Sequence, residues 1–204
     1  DNYLGRFYEQ TPIGITVEGA NILTRTLMIF GQGAIRSHPY VLKEIAAVND
    51  HDQQRAIHQF DEALFGHISF ALSNAARSLV FGLTGGRGIP VPKGSETYRY
   101  YQQLTRYSAA FALSADVAMA VLGGSLKRRE KISARLGDVL SLMYLCSATL
   151  KRFEDDGRPA EDFPLLNWTM QDALYNIQQA FAGVIQNFPN RLMRIGLHVL
   201  VFPL

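Results

Sequence analysis

An unbroken series of apolar residues, spaced alternately four and three apart, constrains the fold of this chain more than any other feature. It consists of Ile132, Leu136, Val139, Met143, Cys146, Leu150 and Phe153. Because an α-helix has 3.6 residues per turn, this spacing places all of them on one face of a long helix. Such near-heptad spacing is typical of helices that pack side by side at small crossing angles, as in bundles.

Three further segments repeat the pattern, and together the four predict an all-α fold, a helical bundle. Apolar residues recur at helical spacing over residues 53–82, 97–122 and 167–188, and no segment alternates with a period of two. In the first segment we expect one core-facing stripe, formed by Ile57, Phe60, Leu64, Ile68, Leu72, Ala75 and Leu79. The expected N-caps are Ser95 or Thr97 for the second segment and Asn167 for the third.

A shorter helix, expected from about Ala20 to Ile35, precedes the bundle and is followed by helix breakers up to Pro39. We therefore expect a boundary that divides the chain into residues 1–50 and residues 51–204. The chain begins without Met and ends in an apolar segment. We expect it to be a fragment of a longer protein.

Composition argues against several classes of partner and site. The formal net charge is only +2, so the charge balance predicts no nucleic-acid partner. A single cysteine, Cys146, rules out an internal disulfide and fits a cytoplasmic protein. His51, His58 and His67 lack zinc-site spacing, so no metal is expected. The most apolar stretch, residues 107–122, is interrupted by polar residues, and we expect no membrane-spanning helix.

Glu18 lies between a β-branched stretch and the start of the first helical pattern. An acid near a helix start is stabilised by the helix dipole, and this structural role is the common one. Two features favour a functional role instead. Ile13, Ile15 and Val17 suggest a partly buried approach, which makes a carboxylate a stronger base. Gly19 leaves space where a ligand could come close.

Two blocks of the sequence resemble a known enzyme family. Glu18-Gly19-Ala20-Asn21, with the residues after it up to residue 33, resembles the Glu-Gly-Thr-Asn segment of acyl-CoA dehydrogenases. Residues 126–138 resemble the extra C-terminal region of the bacterial FadE-type, long-chain enzymes. The likeness covers nearly the whole chain. It implies that residues 1–50 end the dehydrogenase C-terminal helical domain and that residues 51–204 form an additional C-terminal helical bundle.

The resemblance implies roles for single residues. Glu18 would be the catalytic base that removes the α-proton of a saturated acyl-CoA, FAD would receive the hydride, and trans-2-enoyl-CoA would form in fatty-acid β-oxidation. Gly19 would contact the acyl substrate. For Asn21, helix capping and FAD binding are both open. Ala20 and Ile22 stand where relatives carry polar residues next to the flavin, so those contacts cannot be carried over.

Arg25 matches the family as well, and we expect it to form a salt bridge at a dimer or domain interface. The family also has an N-terminal helical domain and a middle β-domain that holds most of the flavin. A chain without them is expected to be inactive alone. The implied partners are acyl-CoA, an electron-transfer flavoprotein or similar acceptor, and further copies in a homo-oligomer.

Residues 191–200 intersperse Arg191, Arg194 and His198 with apolar residues, as an interfacial helix does. Two alternatives therefore stay open for this helix: peripheral contact with the inner face of the cell membrane, and packing in the core. A second hypothesis for the whole chain is a helical docking module for membrane, partner or self-association, without a catalytic role. Apolar stripes left uncovered by the bundle would support it.

Overall fold

The computed structural model describes residues 3–91 and 96–203, and all regular secondary structure in those ranges is helical. The prediction of an all-α fold is confirmed. The elements are α1 (Tyr3–Leu23), a π-helix (Thr24–Gln32), α2 (Gly33–Ser37), α3 (Val41–Val48), α4 (Gln53–Thr84), α5 (Tyr98–Leu122), a 3-10 helix (Gly123–Arg128), α6 (Glu130–Asp155), α7 (Phe163–Asn187) and α8 (Arg191–Val201).

The core lies between α5, α6 and α7, with α8 closing one side. The predicted α6 series forms its centre: every member is buried except Met143, which is half-buried. The α7 series is buried throughout, as Met170, Leu174, Ile177, Phe181, Val184 and Phe188. Burial of so many large side chains is the main favourable contribution to folding. The periodicity of these two helices therefore predicted their buried faces correctly.

The stripe predicted on α4 is divided between a covered and an exposed side. Ile57, Ile68 and Leu72 are 56%, 46% and 66% exposed, so their expected place in the core is wrong. The side of α4 that the bundle covers carries small residues instead, among them Ser78 and Gly82. The Ser78 hydroxyl donates to the carbonyl oxygen of Leu200 over 2.8 Å, and Gly82 lies against the Pro203 ring. These small residues allow the C-terminal segment to approach closely, which turns the apolar residues outward.

Two predicted caps differ from the structure. Thr97 stands at the N-cap position of α5, but its hydroxyl donates to the Glu154 carboxylate over 3.0 Å and makes no cap bond. Asn167 lies inside α7, which begins a turn earlier at Phe163 with a proline in its first turn. The Asn167 cap is thus wrong. The alternative α5 cap, Ser95, lies outside the described residues.

The first helix also starts earlier than expected. Helix α1 begins at Tyr3 rather than near Ala20 and contains Pro12. Proline removes one backbone donor from a helix. On an exposed helix water can satisfy the carbonyl left free, and no residue of α1 is buried. Thr11 and Thr16 donate from their hydroxyls to carbonyls four residues back, so their polar groups are bonded within the helix.

Residues of the first fifty pack onto the bundle. Phe30, in the π-helix, is 1% exposed and meets the Phe111 ring edge-on with centroids 6.3 Å apart. The π-helix also packs along α6, and α3 packs along α4. The boundary between residues 1–50 and 51–204 stays a prediction.

Within the described ranges, α5 with the 3-10 helix is the one helical stretch long and apolar enough to cross a membrane by length and composition. Half of its most apolar window, of mean hydropathy 1.6, is buried inside the bundle. Core helices pass the same test. Here α5 packs against α4, α6 and α8. The expectation of no spanning helix therefore stays a prediction.

Candidate functional site

Glu18 lies in the interior of α1 and is exposed. Its expected place at a helix N-terminus is wrong, because the helix begins fifteen residues before it. The expected burial of the residues before Glu18 is also wrong for this part of the chain: Ile13, Ile15 and Val17 are 64%, 72% and 52% exposed. On this helix the three residues do not share one face: Ile13 and Val17 lie on one side, and Ile15 lies on the other, next to Glu18. Exposed apolar residues around a carboxylate are surface that another element can cover.

Gly19 and Asn21 follow Glu18 on the same exposed helix. A methyl group at Gly19 would meet nothing within 4 Å, so open space surrounds the backbone at this point. Asn21 lies in the last turn of α1, so the capping role for it is wrong. The roles of Glu18 as base, Gly19 as substrate contact and Asn21 as FAD contact stay predictions.

Arg25 joins the first helical segment to α6. Its Nε and Nη2 atoms donate to the two carboxylate oxygens of Asp138 over 2.5 and 2.8 Å. Such a two-pronged contact fixes orientation better than a single hydrogen bond does. The expected salt bridge of Arg25 is confirmed, within the chain; its place at a dimer or domain interface stays a prediction.

Gly137, next to Asp138, lets the backbones of the π-helix and α6 touch. A Cβ atom built at Gly137 would lie 2.7 Å from the carbonyl oxygen of Arg25, closer than packed atoms approach. Only glycine therefore fits there without a backbone shift. Sequence reasoning missed this glycine, although a glycine in the interior of a strongly periodic helix often marks a close approach.

A partly buried polar cluster joins His38, the residue after α2, to α3, α4 and α5. His38 Nε2 lies 2.8 Å from an Asp116 carboxylate oxygen, and their side chains are 6% and 7% exposed. Beside them, His67 Nδ1 lies 2.7 Å from a Glu44 carboxylate oxygen. The His38 and His67 rings are 4.5 Å apart. Sequence reasoning missed the cluster, although an acid such as Asp116 within an apolar helix usually marks a buried partner.

The hydrogen bonds of His38 determine which of its ring nitrogens carries the proton. Nδ1 accepts from the backbone N–H groups of Tyr40 and Val41 over 3.2 and 3.1 Å, at the start of α3. A neutral His38 therefore carries its proton on Nε2 and donates it to Asp116. The other Asp116 oxygen is buried without a hydrogen-bond partner, and burial raises the pKa of this carboxyl against the opposing effect of the two histidines.

Ligand atoms of His38, His67 and Asp116 lie within 4.8 Å of one another, close enough for all three to bind one metal ion. Coordination by His38 Nε2 would move its proton to Nδ1, where two N–H groups already point. This arrangement favours a hydrogen-bonded cluster over a metal centre. Its role is to tie the segment before α3 to α5.

Helix α8 has one face buried in the core and the opposite face exposed to solvent. Leu197 and Val201 are 2% and 1% exposed, which confirms the core packing considered for this helix. On the opposite side Leu192, Ile195 and Val199 are exposed by half or more. Arg191, Arg194 and His198 are all exposed, and α8 carries no acidic residue.

A family model described as acyl-CoA dehydrogenase, C-terminal, bacterial type matches residues 35–204. The match includes α3 to α8, and with them Asp116, Gly137 and Asp138. It begins after Glu18, Gly19, Asn21 and Arg25. No solved structure matches the chain.

Proposed function

Because its residues 35–204 match the family model, the chain belongs to the bacterial-type acyl-CoA dehydrogenase C-terminal family, and we propose that it forms the C-terminal part of an FAD-dependent acyl-CoA dehydrogenase. This match is the observation that carries the proposal. The Glu-Gly segment at residues 18 and 19, just before the match, supplies the proposed chemistry. Substrate and cofactor sites are completed by other parts of the full-length protein.

In the proposed reaction the Glu18 carboxylate removes the α-proton of a saturated acyl-CoA. An exposed carboxylate is a weak base for so weak a carbon acid, and exclusion of water strengthens it. Ile15, which is exposed and lies one helical turn before Glu18, offers apolar surface at which such exclusion would occur. Open space at Gly19 leaves room for an acyl chain beside the base.

The described residues fit FAD only in part. Asn21 is exposed on the surface of α1, so its side-chain amide is accessible to a ligand. Ala20 and Ile22 offer no polar contact. Bound FAD supplies the acceptor for the hydride that leaves the β-carbon. Most groups that hold it come from outside this chain.

The test is the absorption spectrum of the purified full-length protein. We expect a yellow, FAD-containing preparation that is bleached by palmitoyl-CoA under anaerobic conditions, with formation of trans-2-enoyl product. A long-chain substrate, a role in fatty-acid β-oxidation and an electron-transfer flavoprotein or similar acceptor are parts of this proposal. A preparation without flavin, or one that no acyl-CoA reduces, would contradict it.

The exposed stripe of α4 supports a second candidate function, docking or self-association. Besides Ile57, Ile68 and Leu72 it includes Phe65 and Leu83, which are 68% and 50% exposed. Exposed apolar surface of this extent typically marks a contact with another molecule. We propose that the protein is a homo-oligomer that uses this face.

The mass of the full-length protein in solution, measured by light scattering, tests that role. Leu72→Glu should lower the oligomeric state, because it places a charge in the apolar stripe. Gln59→Glu adds a charge at an exposed site on another side of the same helix and should leave the mass unchanged. Equal masses for both variants and the wild type would exclude the α4 face.

The outer face of α8 supports peripheral membrane contact from the cytoplasmic side. Its apolar residues and flanking cations are arranged as in helices that lie at the surface of anionic membranes. Leu192→Glu combined with Ile195→Glu should reduce cosedimentation with anionic phospholipid vesicles. Gln54→Glu combined with Gln59→Glu, which adds the same charge at exposed sites of α4, should not. Equal binding by both variants and the wild type would exclude this contact.

A further inference from the structure

The helix that carries Glu18 meets α6 at two consecutive residues. The Arg25 carbonyl oxygen lies over Gly137, and the Arg25 guanidinium holds both carboxylate oxygens of Asp138. The first contact allows the helix to lie close to α6, because glycine has no side chain at that point. The second fixes its direction, because a two-pronged ion pair tolerates little rotation.

Glu18 and Arg25 are seven residues apart along continuous helical backbone. Seven residues are close to two turns, so both side chains leave the helix on about the same side. The π-helix begins at Thr24, between Glu18 and the α6 contact. Because the helical backbone continues from α1 into the π-helix, a change in the way Arg25 packs on α6 also moves Glu18.

We propose that Gly137 and Asp138 are positioning residues for the base: they set the place of Glu18 by fixing its helix against the bundle. This inference rests on the proposed function. It assigns a role in the reaction to the bundle, which carries no proposed catalytic residue. Both residues act through Arg25 and the helix that carries it, without contact to the substrate.

The ion pair between Arg25 and Asp138 is too exposed to contribute much to the stability of the fold. The Arg25 and Asp138 side chains are 46% and 33% exposed, and ion pairs with such access to water contribute little to stability. Misplacement of a catalytic group by about 1 Å, in contrast, can lower a rate by about a hundredfold. Loss of Asp138 should therefore affect turnover far more than folding.

The test uses the full-length enzyme with palmitoyl-CoA as substrate. Asp138→Ala should lower kcat by about tenfold or more while KM, FAD content and melting temperature stay close to those of the wild type. Asp155→Ala is the matched control, because Asp155 also lies on α6 and pairs with Lys151 on the surface. The control should keep full activity.

A charge exchange separates positioning from simple loss of a carboxylate. Arg25→Asp and Asp138→Arg should each lower kcat, and the double variant should recover most of it because the pair forms again in reverse. Gly137→Ala should lower kcat independently, since its methyl group pushes the backbone at Arg25 away.

Two outcomes would overturn the inference. One is an Asp138→Ala enzyme with the kcat of Asp155→Ala. The other is a loss of kcat that accompanies an equal loss of folded protein, with no recovery in the exchanged pair. Failure of the proposed function is recognised separately. If a Glu18→Gln enzyme still reduces its flavin at the normal rate, Glu18 is not the base, and this holds for any result at Asp138.

Discussion

His38 donates a hydrogen bond of 2.8 Å to Asp116, which is 78 residues away in the sequence. The same ring accepts from two backbone N–H groups at the start of α3. A single imidazole thus accepts from the first N–H groups of one helix and donates to one oxygen of a buried carboxyl on another. Both nitrogens of this ring are engaged, which makes His38 sensitive to substitution.

Asp116→Asn should flatten the pH dependence of stability. Because burial raises the pKa of Asp116, the folded chain binds that proton more tightly than the unfolded chain. Its contribution to the free energy of unfolding is greatest below the ordinary aspartate pKa and is lost as pH rises through the raised pKa. Asparagine can still accept from His38 but does not titrate. The free energy of unfolding of the variant, relative to that of the wild type, should therefore increase as pH rises.

Urea unfolding at intervals between about pH 4 and pH 8 measures this difference. Asp61→Asn, at an exposed site of α4, is the control and should keep the wild-type pH profile. If Asp116→Asn also keeps that profile, the buried carboxyl does not titrate as described.

His38→Ala should destabilise the fold by about 1–3 kcal/mol, because it leaves an acid and two backbone donors without their partner. Adding Asp116→Asn to this variant should restore part of the loss, since no charge then remains buried. The measurement is a double-mutant cycle from urea unfolding at about pH 7. Strict additivity of the two changes would contradict a direct contact.

Cys146 should resist thiol reagents while the chain is folded. Its side chain is 2% exposed, and burial raises the pKa of the thiol to about 11. At about pH 8 only about one thiol in a thousand would then be the reactive thiolate. Labelling should require unfolding and follow the urea transition. A Cys146→Ala, Ser147→Cys variant, with the thiol on the exposed neighbour, should react at once.

The buried faces of α6 and α7 were predictable, because their apolar residues recur with the helical period and the two helices cover each other on that side. The face of α4 was not. Periodicity locates the apolar residues, but Ser78 and Gly82 decide which side the C-terminal segment covers. The bond from Ser78 to Leu200 joins residues 122 apart in the sequence. Apolar spacing alone carries no information about such an approach.

The candidate site was predictable only where it is local. Arg25 could be expected to form an ion pair, but its partner Asp138 is 113 residues away and was not identifiable from spacing. The start of α1 was misplaced because Pro12 and the β-branched residues around it favour a break. In the structure the exposed helix nevertheless continues through Pro12. His38 and Asp116 were likewise joined only by the packing of α5.

The central claim is that Glu18 is the base of an acyl-CoA dehydrogenase, and one measurement tests it most directly. It is the stopped-flow rate of flavin reduction by palmitoyl-CoA in the full-length Glu18→Gln enzyme, with Glu9→Gln, also exposed on α1, as the control. We predict that Glu18→Gln binds FAD normally and that reduction slows by at least about a thousandfold, while the control reduces at the wild-type rate. Normal reduction in the Glu18→Gln enzyme would contradict the claim.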